Sequence, residues 1–400
     1  MALTSSGRPA RRTFRRQKVS EWLTAYTFIL PSLLIIGVFG LFPIGYAFYM
    51  SLYQWRVRQG RFIGLEHYHD LVGNWAGGLA FVVGVLLILV AHWIWNDAFR
   101  SGRQQIAKTL GAITLMLSGV GIALGWALMM RAGDDDFLGG IIITLFYALG
   151  AVPVQILLAL FLATLLFQKI RGREFFRMLF FLPYITPLVA SAVVFSKIFT
   201  ARESGWANVV LGWLGVAPQR WLQEATPVSV LVFGDQIDAF NAWLTSSGAT
   251  WQLDGLWLGP SLALATIVIF GIWTYTGYNV IIFLAGLGGI PGELYEAADI
   301  DGANGWHKFR FITVPLLSPV TFYLTLLGFI GTFQAFSQLY VMREPFARGS
   351  VDTASLVIFD TFYKSNNYSL AAAQSILLFV LILLVTLLQQ RIFGKRVFYG

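Results

Sequence analysis

Charged residues cut the chain into uncharged windows, and eight of these run for 19 residues or more: 22–55, 71–96, 109–130, 137–168, 178–196, 255–292, 311–342 and 365–390. A helix that crosses the hydrocarbon core of a bilayer needs about 20 mostly apolar residues. Each window satisfies that length. Each is also apolar around its whole circumference, whereas a helix of a soluble protein carries one polar face. The pattern therefore predicts an all-α membrane protein with about eight transmembrane helices. Between windows five and six, residues 201–254 mix Gly, Pro, Trp and charges without a long apolar run. That segment predicts an ordered external loop with one or two short amphipathic helices.

Composition sharpens this picture. The 400 residues are 57% hydrophobic and 12% charged, where a soluble domain carries about 25% charged residues. A net charge of +8 would suit nucleic acid, but the basic residues sit at the ends of apolar windows. With the amino terminus inside and the sides alternating, the inner segments hold 18 of the 28 Lys and Arg residues. They include Arg8 to Lys18, Arg100 to Lys108, Lys169 to Arg177, Lys308 with Arg310, and Arg391 to Arg396. This is the asymmetry that the positive-inside rule expects, and it places both termini in the cytoplasm. Arg56, Arg58 and Arg61 run against it. The chain divides into a basic tail at 1–21, disordered up to Glu21, a first span and outer loop at 22–74, a transmembrane hairpin at 75–136, and a core at 137–400. The long apolar stretch after the tail lacks a small-residue cleavage site and reads as a retained signal-anchor.

Several chemistries are excluded. The chain has no cysteine, so it makes no disulfide, thiolate metal site or cysteine nucleophile. His67, His69, His92 and His307 are scattered, and the carboxylates Asp134 to Asp136 read as a solvated outer loop; no metal site is predicted. No segment reads G-x-x-x-x-G-K-[ST], so no phosphate-cradling loop is present. The windows contain no Asp, Glu, Lys or Arg, the groups through which ion-coupled transporters and intramembrane enzymes work. The reading is of a transport subunit, not an enzyme, with energy entering from another chain.

The most specific signal lies at 291–313, between windows six and seven. Pro291 suits the first turn of a helix, and Glu293 and Glu296 favour its positive end. Gly302 can take the left-handed conformation that ends it. Asn304 can cap a second short helix, on which Trp306, Phe309 and Phe311 supply an apolar surface. Glu296, Ala297, Ala298, Asp301, Gly302, Ala303, Phe309, Ile312, Pro315 and Pro319 match the pattern E-A-A-x-x-D-G-A, F, I, P-x-x-x-P. In this the chain resembles the permease subunits of ABC importers. The resemblance implies that the loop is the coupling helix, which lies in a groove of a separate ATPase subunit, with Glu296 as the acid of the contact and Gly302 as its turn.

The likeness extends over most of the chain and is greatest to the first permease subunit of carbohydrate importers of the maltose, glycerol-phosphate and trehalose types. It is carried by Tyr26 through Pro31, Pro43 and Leu52, by Phe62 to Tyr68 with His67 where Asn is usual, by Arg173 to Pro187, by Leu284 to Pro291, and by Gln390 to Arg396. Two departures stand out. The hairpin has no counterpart in the usual six-span subunit and is expected to pack outside the core, and the segment Arg343 to Thr353 lacks the family's usual G-G-P. The resemblance implies a second permease subunit, two ATPase subunits that bind ATP and magnesium, an extracytoplasmic solute-binding protein, and a place in the cytoplasmic membrane of a prokaryote.

Sugars are bound by aromatic faces and by hydroxyl and amide hydrogen bonds. Window six offers Gly271, Thr274, Tyr275 and Tyr278 at helical spacing, with Asn279 beside them, and window seven offers Gly331, Thr332, Gln334 and Gln338. These are the expected lining of the path, and the absence of a cation among them points to a neutral mono- or oligosaccharide. A glycerol-phosphate or polyol permease and an uncoupled channel are the alternatives.

Overall fold

In the computed structural model the described residues are 10–100, 104–168, 171–248, 252 and 255–394. The expected Arg8, Arg103, Lys169, Lys395 and Arg396, and residues 249–251 and 253–254 of the external loop, lie outside them. The chain is almost entirely helical. Helix α1 (Ala10–Ile36) runs through a π turn (Gly37–Leu41) into α2 (Phe42–Ser51) as one span. The basic tail is thus helical from Ala10, a correction to the disorder expected up to Glu21; Arg, Lys, Gln and Ala are good helix formers, and no Gly or Pro interrupts residues 10–30. The first window reaches 55, but its helix stops at Ser51 and gives way to a small antiparallel ribbon, β1 (Tyr53–Trp55) with β2 (Gln59–Phe62). No residue from Glu21 to Met50 is buried within the chain, and it is chiefly α2 of this span that packs on the last helix.

After α3 (Glu66–Val72), the helices α4 (Trp75–Arg100) and α5 (Gln104–Met130) form the hairpin. They pack mainly on each other. Glycines allow this: a Cβ on Gly125 would lie 2.5 Å from the Phe81 nitrogen. Ser118 Oγ donates to the Gly84 carbonyl across the seam at 2.7 Å. Small residues and interhelical hydrogen bonds drive association in lipid, where apolar burial gives no preference for a neighbouring helix.

The core is built on α6 (Asp135–Phe167), capped by the Asp134 side chain, which accepts the Phe137 N–H. Its Ala-rich faces supply residues to all three buried clusters, among them Tyr147, Ala148, Val152, Ala159 and Ala163. Windows five and seven are broken rather than straight. Helices α7 (Arg173–Ile185) and α8 (Leu188–Ile198) meet at 98°, around Thr186 and Pro187. The external loop carries α9 (Trp206–Trp213) and α10 (Val228–Ser246). The buried Asn208 organises it, donating to the carbonyls of Thr200, Arg202 and Gln219 and accepting from Trp221 Nε1 at 2.7 Å.

Helix α11 (Leu262–Gly288) lies along α6. Then follow α12 (Gly292–Ile300), α13 (Gly305–Lys308), a π turn (Phe309–Thr313), α14 (Val314–Leu316) and α15 (Ser318–Phe333), with a 61° bend at Leu317 between the last two. Short helices α16 (Ser337–Met342) and α17 (Ala354–Phe359) precede a π turn (Asp360–Lys364) and the last span, α18 (Tyr368–Ile392). The start of α17 docks on α6 where Gly140 leaves room, and its Ala354 N–H donates to Thr144 Oγ1 at 3.1 Å. Among the described residues, six helices are long and apolar enough to span, and the two bent pairs bring the total to eight.

Candidate functional site

A cavity of about 330 Å³ opens between α6, α7, α11 and α15. Tyr275, Tyr278, Asn279, Gly331, Thr332 and Gln338, all expected from the sequence, line it. Tyr147, Gln155 and Tyr184 complete its polar lining and were not foreseen. The only cue to Tyr147 and Gln155 was two polar-tipped residues eight apart, on one face of window four. Tyr184 stacks on Tyr278 with ring centroids 4.8 Å apart and meets Tyr275 edge-on at 6.1 Å. Gln338 Nε2 donates to Tyr147 Oη at 3.4 Å.

Three expected residues stand behind or beside this lining. Gly271 makes room for Tyr147: a Cβ there would sit 2.7 Å from the phenol oxygen. Thr274 is buried, and its hydroxyl has no partner. Gln334 is exposed at the end of α15, outside the lining. Asn279 Nδ2 is buried without a hydrogen-bond partner, and a buried amide N–H left in that state costs on the order of 1–3 kcal/mol. A hydroxyl-bearing solute in the cavity would relieve that cost. Gly331, where a Cβ would meet nothing within 4 Å, leaves the approach open. Every lining residue is uncharged.

The loop at 291–313 lies between α11 and α15, the two helices that carry most of this lining. Pro291 sits at the N-cap of α12, one position before the first turn expected for it. The end of α12 is a Schellman motif: Gly302 has φ +74°, its N–H donates to the Asp299 carbonyl at 3.1 Å, and the Ala303 N–H donates to the Ala298 carbonyl at 2.9 Å. Asn304 caps α13 by accepting the His307 N–H at 2.9 Å. Lys308 Nζ to Asp299 Oδ1, at 2.6 Å, and Tyr295 Oη to Thr313 Oγ1, at 2.9 Å, fasten the limbs together. Glu296, Ala297, Asp301 and Gly302 are exposed, while Ala298, Ala303, Phe309 and Pro315 are half-buried against the limbs. No residue of α12 is buried. Ile300, Trp306 and Phe311 are 88%, 64% and 66% exposed, so this small, cross-tied unit presents acids and apolar groups together.

Sequence reasoning also missed an ion cluster between α16 and the turn after α17. Arg343 donates to Asp352 and, at 2.7 Å, to Asp360, which also pairs with Lys364 at 2.6 Å. Burial alone would raise the Asp360 pKa, but the hydrogen bonds from Lys364 and Arg343 hold it below the usual carboxylate range. The segment that lacks the family's usual G-G-P is thus pinned by charge.

Related proteins fit this architecture. The arabinooligosaccharides transport system permease protein AraP of Bacillus subtilis is 31% identical over 248 residues, covering 61% of this chain and 66% of AraP. The trehalose/maltose transport system permease protein MalF of Thermococcus litoralis is 26% identical over 377 residues, covering 94% of this chain and 95% of MalF. The fold matches a crystal structure of a bacterial ABC transporter involved in the import of the acidic polysaccharide alginate, with a TM-score of 0.58 and 18% identity over 96% of this chain and 99% of that one. Residues 155–399, more than half of the chain, match the family of binding-protein-dependent transport system inner membrane components, and this multi-pass membrane protein belongs to that family.

Proposed function

We propose that the chain is the translocation subunit of an ABC importer and passes a neutral mono- or oligosaccharide across the cytoplasmic membrane. The observation that carries this reading is the cavity: tyrosine faces, amides and a hydroxyl, with no charge, between the helices that flank the 291–313 loop. A phosphate or carboxylate solute would call for a cation in the lining, which weighs against glycerol-phosphate. The names of AraP and MalF point to the same class of solute.

The loop is the coupling element. Exposed Glu296 with the apolar Ile300, Trp306 and Phe311 forms a protruding helical surface suited to a groove on an ATPase subunit. Closure of two such subunits on ATP would drive the loop, and the loop would rock α11 and α15 around the cavity, exchanging inward- and outward-facing states. ATP and magnesium would be held by those subunits. A second permease subunit would cover the exposed stretch of α1 from Glu21 to Ile36, and an extracytoplasmic binding protein would deliver the sugar. The termini and the loop face the cytoplasm, on the evidence of the charge asymmetry. The test is uptake by the reconstituted complex. Tyr278→Ala and Gln338→Ala should each cut sugar uptake while leaving assembly with the ATPase intact, and Gln334→Ala, outside the lining, should cut it less. Normal uptake in the first two variants would move the sugar site out of this chain.

A further inference from the structure

A second cleft, of about 590 Å³, opens between the first and last spans. Its walls are Phe42 and Tyr46 of α2, Phe359 and Phe362 around the end of α17, and Ala372 and Ser375 of α18. The lining carries four hydroxyls: those of the serines are already engaged, Ser375 Oγ with the Ala371 carbonyl and Ser355 Oγ with that of Ala335, and the other two are the phenols of Tyr46 and Tyr368. The rest of the wall is apolar, so the body of this cleft suits a hydrocarbon occupant.

The mouth of the cleft is different. The Tyr46 ring lies 6.1 Å from that of Trp55, and the Trp55 backbone N–H donates to Ser369 Oγ at 3.0 Å, beside Tyr368 of the lining. Directly after Trp55 come Arg56, Arg58 and Arg61, all exposed. Glu66 and Asp70 lie on the following helix, but among the described residues none of the three arginines forms an ion pair with a carboxylate. These are the arginines that defy the inside bias of the other basic residues. An apolar slot between two candidate spans, Glu21–Ser51 and Tyr368–Ile392, with an aromatic rim and three exposed arginines directly after the end of the first, matches the chemistry of a lipid: an acyl chain in the slot and a phosphate diester on the arginines. Guanidinium forks match phosphate oxygens in bidentate fashion.

We propose that this cleft binds an anionic phospholipid of the outer leaflet, its chain between α2 and α18 and its headgroup on Arg56, Arg58 and Arg61. The side of the membrane rests on the orientation proposed above, but the binding itself does not depend on transport, so the two readings fail separately. The test is native mass spectrometry of the assembled, delipidated complex titrated with phosphatidylglycerol, phosphatidylethanolamine or inorganic phosphate. One phosphatidylglycerol should be retained per copy of this chain, the zwitterionic lipid should bind far more weakly, and inorganic phosphate should displace neither. Replacing all three arginines by Gln should weaken phosphatidylglycerol binding on the order of a hundredfold, and Ala47→Phe, which fills the α2 wall, should remove it. Equal retention of the two lipids, displacement by phosphate, or unchanged binding in both variants would overturn the site. So would efficient cross-linking of Ala47→Cys to a second permease subunit, which would give the cleft to a protein helix.

Discussion

Gly302 isolates the role of the proposed coupling turn from the side chains around it. Its φ is +74°, and a Cβ added there would meet nothing within 4 Å. The cost of any side chain is therefore one of backbone conformation and not of collision. For an L-residue in the left-handed region that cost is about 1–2 kcal/mol, with β-branched residues at the upper end and Asn tolerated best. A shift of that size changes the ratio of formed to unformed turn by roughly five- to thirtyfold. Gly302→Val should lower both uptake and substrate-stimulated ATP hydrolysis in proteoliposomes without lowering the amount of subunit in the membrane. Gly302→Asn, with similar bulk in the same open space, should stay close to wild type. Equal activity of Val and glycine would refute the argument. Equal damage by Asn and Val would show that the position acts through contact and not through backbone.

Other outcomes follow from the same reasoning. Gly277 packs so closely on α7 that a Cβ would lie 1.8 Å from the Phe180 carbonyl oxygen; Gly277→Ala should destabilise the complex by about 1–3 kcal/mol or more, read as a lower Tm, whereas Gly139→Ala, with open space around its Cβ, should not. Burial lowers the pKa of His67 below 6.5, against the opposing pull of Asp70 and Glu66, and its Nε2 lies 2.9 Å from Ser369 Oγ. The unfolded chain therefore takes up a proton that the folded ring resists, so stability is full above about pH 6.5 and falls as pH drops below it; melting curves at about pH 7.5 and 5.5 should show this, and His67→Asn should remove that part of the loss. Asp135→Cys, in a chain with no native cysteine, should react with an impermeant maleimide in intact cells. Labelling only after permeabilisation would invert the topology.

The pattern of charges located the spans because a bilayer tolerates ionic groups poorly, so uncharged windows and helices nearly coincide. It did not show that windows five and seven are broken. Pro183, Pro187, Pro315 and Pro319 all lie in or near those windows, but a proline can begin, kink or merely decorate a helix, and neighbouring helices decide which. The loop at 291–313 was legible in detail, since Gly302 and Asn304 act through local backbone rules and the structure places both as their chemistry requires. The cavity was half legible. Tyr275, Tyr278 and Asn279 announced themselves as polar groups on one helical face, but Tyr147, Gln155 and Tyr184 come from distant windows and join them only through helix packing. Gln334 has the same chemistry as Gln338 four residues on, yet the break after Phe333 turns one out and the other in. Arg343 and Asp360 stand 17 positions apart with α17 between them, and no periodicity in the sequence marks such a pairing.

On the function proposed above, this chain moves sugar only when a separate ATPase drives the 291–313 loop. The most direct measurement is uptake of a labelled neutral sugar into proteoliposomes holding this chain, its partner permease and the ATPase, with the binding protein and ATP supplied or withheld in turn. Uptake is expected only when all are present, and is expected to be lost in Glu296→Lys, where charge reversal sets repulsion against the proposed ATPase surface. Uptake that persists without ATP or binding protein, or that is undiminished in Glu296→Lys, would contradict the proposed function and describe an uncoupled channel.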